Sequence, residues 1–245
     1  MLSGGSTAGR APAVQHSAPL DPLTLLGPVW VAAPHPDDEA LGCGALLAAL
    51  TAAGREVWAL LLTDGGFSHP GSREFPRDRL AAERAAEWRA GLGVLGVPPE
   101  RTAALNLPDG ALAACDPAEV ERLVRAAFVS APPATLLLPW RRDPHPDHRA
   151  AWEPLTAACP PGARVLGYAV WLAERGAVAD WPAPTEARAW TWAVGEHRAA
   201  KARAVAAHAT QLGRVTDDPG GFTLAPEMVR RALEGPELYF EEMMG

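Results

Sequence analysis

The sequence has few cysteines and no long uninterrupted apolar run. Its three cysteines, Cys43, Cys115 and Cys159, are far apart, and no two of them form a C-x-x-C pair. This pattern argues against a disulfide framework or a thiolate metal site and is typical of buried or idle thiols in a reducing compartment. No run approaches the roughly 18 apolar residues of a membrane-spanning helix. Because the first 27 residues also lack an export signal, we predict a cytoplasmic protein.

An excess of positive charge is also missing. Arginine and lysine number 22 against 29 acidic residues, which gives a net charge of −7, and no basic run is interleaved with aromatic residues. This balance argues against binding to nucleic acid or to an anionic membrane surface. A dinucleotide-binding fingerprint is absent as well, because the fragment Gly42-Cys43-Gly44 lacks a third spaced glycine. We therefore expect a small-molecule substrate, no nucleic-acid partner and no membrane insertion; a homo-oligomer is compatible with the sequence.

Strand and helix patterns alternate along the chain. After a lead-in over residues 1–20 that is rich in Gly, Ser, Ala and Pro and predicted to be flexible, residues 21–245 are predicted to form a single domain. Strands are predicted over residues 29–33, 56–63, 103–107, 134–139, 164–172 and 187–194. Helices are predicted over residues 39–53, 77–95, 117–129, 196–212 and 227–233. Unbroken apolar strands between helices predict a Rossmann-like α/β fold, with a mainly parallel sheet, helices on both faces and an active site at the carboxyl ends of the strands.

Two polar segments follow predicted strands directly. Residues 35–39 read HPDDE, and residues 143–148 read DPHPDH. Imidazole and carboxylate groups are suited to Zn²⁺, and a catalytic zinc site has three protein ligands and one open position. His35, Asp38 and one histidine of the second segment supply such a set. Asp37 is left beside the metal, where a carboxylate can accept a proton from the attacking water.

Each segment also has a simpler interpretation. An Asp-Asp pair at a helix start usually caps the helix, and a surface histidine usually has no special role. However, two His/Asp clusters that both follow buried strands are hard to explain by capping alone. We therefore predict a metal site.

These segments resemble the signatures of a known family. Residues 34–39 (PHPDDE) resemble the AHPDDE signature of the LmbE-like (PIG-L) de-N-acetylases, and residues 145–148 resemble its HPDH signature. Weaker matches agree in order and spacing from about residue 29 to residue 212; they are Thr63-Asp64-Gly65, Arg84-x-x-Glu87, residues 107–110 (LPDG), Lys201, His208 and Gln211.

The resemblance implies a role for each matched residue. His35, Asp38 and His148 would be the metal ligands, holding Zn²⁺ or, with the same donor set, Fe²⁺. Asp37 would be the general base. A protonated His145 would stabilise the oxyanion or pass a proton to the departing amine, and Asp147 would orient that imidazole and stabilise its charge.

Three further residues are candidates for substrate binding. Arg84 lies on the inward stripe of its predicted helix, so it either pairs with a core carboxylate, such as Glu87 or Asp109, or contacts substrate hydroxyls. Asp109 either makes a Pro-Asp-Gly turn or binds a sugar hydroxyl. Trp140, beside the second segment, is predicted to form a wall against a sugar ring. For His208 we expect a structural hydrogen bond rather than catalysis.

The resemblance implies a zinc-dependent hydrolase that removes the N-acetyl group from an N-acetylglucosamine conjugate, with release of acetate and a free amine. One alternative is a zinc amidase acting on another N-acylated small metabolite. Another is a sugar-binding relative without turnover, against which the intact Asp37 and His145 argue. Residue chemistry without the resemblance supports a zinc amide hydrolase.

Overall fold

The structure is a computed structural model, and it describes residues 17–243. This part of the chain forms one eight-stranded sheet with helices packed on it. The strands are β1 (Ala18–Pro19), β2 (Val29–Ala33), β3 (Val57–Thr63), β4 (Thr102–Leu107), β5 (Thr135–Pro139), β6 (Arg164–Tyr168), β7 (Ala187–Trp192) and β8 (Glu237–Glu242). The α-helices are α1 (Asp38–Ala52), α2 (Arg77–Val94), α3 (Pro117–Phe128), α4 (Pro146–Ala158), α5 (Leu172–Arg175), α6 (Arg198–Ala206) and α7 (Pro226–Glu234).

The strand order across the sheet is β1-β7-β8-β6-β5-β2-β3-β4. All neighbouring pairs are parallel except those of β8, which runs antiparallel to both β6 and β7. The prediction of a mainly parallel α/β sheet is therefore confirmed.

The core lies on both faces of the sheet, as the central strand β2 shows. Val29, Val31 and Ala33 point into one apolar cluster, which α1 and α2 cover. Trp30 and Ala32 point into the opposite cluster, which α3 and α4 cover. All five residues of β2 are buried, which explains why this strand is continuously apolar rather than alternating.

The structure differs from the sequence-based prediction at four places. The strand predicted over residues 164–172 ends at Tyr168, and α5 begins at Leu172. The predicted helix over residues 196–212 ends at Ala206, and a separate 3-10 turn follows over Ala209–Leu212. Strand β8 was not predicted, because its sequence ELYFEE carries three carboxylates in six residues. Residues 1–16 of the predicted flexible lead-in lie outside the described residues. Near the end of the lead-in, Ala18 and Pro19 form strand β1 and are therefore not part of a flexible segment. The single-domain boundary stays a prediction.

The order of the strands determines where the polar segments meet. The chain leaves β2 towards β3 and β4 on one side, and β5 and β6 lie on the other side. The connections after β2 and β5 therefore diverge, which opens a crevice at the carboxyl ends of these two strands. Residues 34–38 follow β2 and residues 140–148 follow β5, so both polar segments line this crevice. Among the described residues, no helix combines the length and apolarity that a bilayer crossing requires.

Candidate metal centre and active site

The connection after β2 places His35 and Asp38 against each other. The side chain of Thr63, at the end of β3, donates a hydrogen bond of 2.7 Å to the Pro34 carbonyl and holds this connection to the neighbouring strand. The backbone N–H of His35 donates to Asp38 Oδ2 over 2.8 Å, and Nδ1 of the same histidine lies 3.2 Å from that oxygen. The His35 ring and the Asp38 carboxylate are therefore held in one orientation.

The connection after β5 brings His148 to the same carboxylate. His148 is on the first turn of α4, and its Nε2 lies 3.1 Å from Asp38 Oδ2. One carboxylate oxygen thus lies at nearly equal distances from two imidazole nitrogens. All three side chains are buried. Burial alone would raise the pKa of the Asp38 carboxyl, but the charges and hydrogen bonds of His148 and His35 bring that pKa well below its usual range.

This arrangement fits a divalent cation. Donor atoms that surround a tetrahedral zinc at about 2.0–2.1 Å are about 3.3 Å from one another, close to the separations between Asp38 and the two histidines. Both ring nitrogens of His148 are fully buried and make no aligned hydrogen bond, although each is near a carboxylate oxygen. For Nε2, which faces Asp38, this is expected of a metal ligand, because its lone pair points at the ion rather than at the neighbouring oxygen.

Other ligand atoms lie close by. In the described part of the chain, two groups have ligand atoms within 4.8 Å of one another and could hold a metal ion: His35, His145 and His148, and His35, Asp109 and Asp147. The first group shares His35 and His148 with the predicted ligand set, but its third member is His145 and not Asp38. We favour Asp38 because its oxygen is within 3.2 Å of both other ligands. The assignment of His35, Asp38 and His148 stays a prediction.

Asp147 contacts a different histidine from the one predicted. Its Oδ2 lies 3.2 Å from His35 Nε2, and its two oxygens accept hydrogen bonds from the backbone N–H groups of Gly110 (2.9 Å) and Leu112 (3.1 Å). The expectation that Asp147 orients the His145 ring is therefore wrong for its side chain. The Asp147 backbone N–H instead points at His145 Nδ1 over 3.2 Å. The carboxylate charge still acts on His145 without a contact, since it raises the pKa of that imidazole against the larger lowering effect of burial.

Asp37 is buried beside the predicted ligands. It occupies the N-cap position of α1 but makes no side-chain capping bond, and its φ of 137° is a strained backbone conformation for a residue with a side chain. This argues against the capping interpretation. Burial raises the pKa of the Asp37 carboxyl to about 7, against the lowering effect of the Arg84 guanidinium. A carboxyl with this pKa can accept a proton near neutral pH, and a bound cation would lower the pKa again.

Arg84 is almost fully buried and holds the connections around Asp37. Its guanidinium donates to the carbonyls of Gly65 (2.8 Å) and Pro36 (2.9 Å) and lies 3.5 Å from Asp37 Oδ2. The guanidinium also lies 3.7 Å from Asp109 Oδ2. Glu87, the other carboxylate suggested by the sequence, accepts two hydrogen bonds from Thr210. Of the alternatives weighed above, an ion pair with a core carboxylate is thus present, and contact with substrate stays a prediction.

Asp109 also faces the site. Its Oδ1 lies 3.3 Å from His35 Nε2, and its Oδ2 accepts the backbone N–H of Phe67 over 2.8 Å. Burial opposes ionisation of this carboxyl, but the hydrogen bond and charge of His35 outweigh it and lower the pKa to about 2. Sugar binding by Asp109 stays a prediction.

The structure contradicts the expectation for Trp140. This indole is 0% exposed, packs edge-on against Trp152 and Phe240, and donates its N–H to the Asp180 carbonyl. It therefore has no face against which a sugar could lie. The indole near the site is that of Trp171, whose ring centroid is 6.5 Å from that of His145. The strand predicted over residues 164–172 includes Trp171, whereas β6 ends at Tyr168, so the sequence pattern did not mark Trp171 as following a strand.

The structure also opposes a proton on His145 at rest. Burial, together with the positive charges of His35 and His148, lowers the pKa of the His145 imidazole to about 4. The backbone N–H of Asp147 donates to Nδ1, so the neutral ring carries its proton on Nε2.

The hydrogen bond expected for His208 is not found. Neither nitrogen of its ring has a hydrogen-bond partner among the described residues, and the nearest carboxylate, that of Glu39, is 3.8 Å away.

A family comparison agrees with this geometry. Residues 30–159, which include both polar segments and the strands that position them, match the model of the GlcNAc-PI de-N-acetylase family, PIG-L. The chain belongs to the PIG-L family. Its curated relatives include a diacetylchitobiose deacetylase of Thermococcus kodakarensis, which is 33% identical over 137 residues, or 54% of this chain and 48% of that protein. The chain thus matches about half the length of this relative.

Solved structures share the fold of this PIG-L chain. An N,N′-diacetylchitobiose deacetylase from Pyrococcus horikoshii, bound to an inhibitor, is 17% identical with a TM-score of 0.60, over 88% of this chain and 83% of that one. A zinc-inhibited form of a teicoplanin deacetylase is 17% identical with a TM-score of 0.64, over 89% and 98%. A conserved protein from Thermus thermophilus is 25% identical with a TM-score of 0.61, over 88% and 93%.

Proposed function

We propose that this protein is a metal-dependent hydrolase that removes the N-acetyl group from an N-acetylglucosamine conjugate. The observation that carries the proposal is the position of Asp38 Oδ2 between the His35 and His148 nitrogens, next to the buried Asp37. The family description and the diacetylchitobiose deacetylase relative support the choice of an acetylated amino sugar.

His35, Asp38 and His148 would hold the metal, Zn²⁺ or Fe²⁺. A divalent cation held there would supply Lewis acidity, which would polarise the amide carbonyl and make water easier to deprotonate. Asp37 accepts the proton of the attacking water, and the two carbonyl contacts of Arg84 hold the backbone that carries Asp37. The same proton then passes from Asp37 to the leaving nitrogen, so that acetate and a free amine are the products.

His145 contributes as a neutral hydrogen-bond donor. With Nδ1 occupied by the Asp147 backbone N–H, the Nε2–H of His145 is available to the oxygen of the scissile carbonyl. A hydrogen bond to that oxygen strengthens as negative charge develops on it, which lowers the barrier. His145 therefore acts in this scheme without being protonated at rest.

The test is acetate release by purified protein from a panel of N-acetylglucosaminyl conjugates: diacetylchitobiose, N-acetylglucosaminyl phosphatidylinositol and an N-acetylglucosaminyl peptide. We expect about one metal per chain, and loss of turnover on chelation. Asp37→Asn should keep the metal and lower kcat at least about 100-fold. Asp116→Asn is the matched control, because Asp116 caps α3 and asparagine caps equally well.

Two results would contradict the proposal. Full turnover by Asp37→Asn would remove Asp37 as the base. Absence of acetate release from every conjugate, with metal bound, would favour an amidase for another N-acylated metabolite or a protein without turnover. Elemental analysis of protein purified with and without oxygen distinguishes Zn²⁺ from Fe²⁺.

A further inference from the structure

Asp143 is a buried carboxylate that the proposed chemistry does not use. It lies in the connection between β5 and α4 and is 0% exposed. Its Oδ1 is 3.1 Å from Nδ1 of His148, on the side of the ring opposite to Asp38. The His148 imidazole thus lies between two carboxylates, with Asp38 facing Nε2 and Asp143 facing Nδ1.

Backbone donors fix the position of Asp143. Its Oδ1 also accepts the N–H of His145 over 3.0 Å, and its Oδ2 accepts the N–H of Trp171 over 2.9 Å. The carboxylate therefore joins the connection after β5 to the connection after β6. Both oxygens therefore already face N–H groups. A proton on the nearby Nδ1 of His148 would give the carboxylate a third N–H to face, whereas a lone pair on Nδ1 would be repelled by it.

We propose that Asp143 is a positioning residue for the metal centre, which it serves by keeping the proton of His148 on Nδ1 and so leaving the lone pair of Nε2 free for the metal. This inference rests on the proposed function, since it takes His148 as a metal ligand. Imidazole binds a metal through a deprotonated nitrogen, and the partner of the other nitrogen decides which one that is. Asp147 has the corresponding position at the other predicted histidine ligand, since its Oδ2 lies 3.2 Å from Nε2 of His35.

Asparagine at position 143 cannot replace the carboxylate. If the amide oxygen faces His148 and the His145 N–H, the amide NH₂ faces the Trp171 N–H, and two donors oppose each other. If the amide is reversed, the NH₂ faces Nδ1 of His148, which must then act as an acceptor and carry its proton on Nε2. That tautomer cannot bind a metal through Nε2.

The test compares metal affinities of wild-type protein, Asp143→Asn and Asp180→Asn, measured by Zn²⁺ competition with a chromophoric chelator. Asp180 is a suitable control because it accepts hydrogen bonds from Arg149 and from the Ala177 N–H but contacts no histidine in the described residues. We expect Asp143→Asn to weaken Zn²⁺ binding about 10–100-fold and Asp180→Asn to leave it unchanged.

A second measurement does not depend on the folding of a variant. In zinc-loaded wild-type protein with ¹⁵N-labelled histidine, His148 should show a protonated Nδ1 and a metal-bound Nε2. The reverse pattern, or equal Zn²⁺ affinity of a folded Asp143→Asn protein, overturns this inference alone. Wild-type protein that takes up no divalent metal overturns the proposed function as well.

Discussion

Replacing Lys201 by methionine is predicted to destabilise the protein strongly. The Lys201 ammonium lies 2.8 Å from Glu237 Oε1, and both side chains are about 1% exposed. The same carboxylate accepts the backbone N–H groups of Ala45 (2.7 Å) and Leu46 (3.0 Å), inside α1, and the hydroxyl of Tyr239 (2.9 Å). Lys201 is thus the cation of a buried cluster that joins α6, β8 and α1, the helix that carries Asp38.

The magnitude follows from what the substitution leaves behind. Without Lys201 the Glu237 carboxylate keeps its neutral donors but is a buried charge without a counter-charge. Breaking a buried pair in this way costs about 3–5 kcal/mol, which for a domain of this size corresponds to a fall in Tm of roughly 6–20 °C. Combining Lys201→Met with Glu237→Gln removes the uncompensated charge, so we expect the double variant to be less destabilised than the sum of the single ones, by about 0.5–3 kcal/mol.

The assay is urea unfolding of metal-free protein for the two single variants and the double variant. Arg230→Met is the matched control, since Arg230 pairs with Glu227 and Glu234 on the exposed face of α7, where water screens the charges. We expect this control to change the unfolding midpoint little. A cost below about 1 kcal/mol for Lys201→Met, or strict additivity of the two substitutions, would refute the argument from an uncompensated buried charge.

Three further outcomes follow from the structure. Trp140→Ala should cost about 3–5 kcal/mol in urea unfolding and leave KM unchanged, because this indole is buried; a raised KM in a stable variant would contradict its placement. Burial raises the pKa of the Cys159 thiol to about 11, so its alkylation rate should rise about ninefold between pH 9 and pH 10, whereas a thiol of ordinary pKa would gain less than about twofold; a gain below about twofold would argue against this burial. Gly65→Ala places a Cβ 2.9 Å from Pro36 Cδ and should lower activity, whereas Gly162→Ala, also at positive φ but with open space around it, should keep it; equal activities would refute the steric argument.

Much of the site could be predicted from the sequence because its residues follow buried strands. His35 and Asp38 are three residues apart at the start of a helix, and His148 starts another helix, so local structure places these groups on two connections at the carboxyl edge. The approach of His148 to Asp38 then follows from β2 and β5 being neighbours in a parallel sheet. The resemblance to the PIG-L family supplied the choice of acetylated sugar, which periodicity and spacing do not encode.

The expectations that failed, for Asp147 and Trp140, depended on contacts between distant elements. Asp147 is two residues from His145, yet its carboxylate faces His35, because the first turn of α4 aims it across the crevice between β2 and β5. Trp140 follows β5 directly, as a site residue would, but it turns into the cluster formed with Phe240 of β8, a strand that was not predicted.

The sequence by itself determined the alternation of strands and helices, the edge of the sheet at which chemistry takes place, and the residue types gathered there. These are properties of short segments, set by hydrophobic period and by helix and strand ends. Only the tertiary structure decided which carboxylate faces which imidazole nitrogen, that Asp143 lies behind His148, and that Lys201 joins Glu237 against α1. The physical reason is that each of these pairings depends on side-chain direction and burial at the junction of several elements, which no single segment specifies.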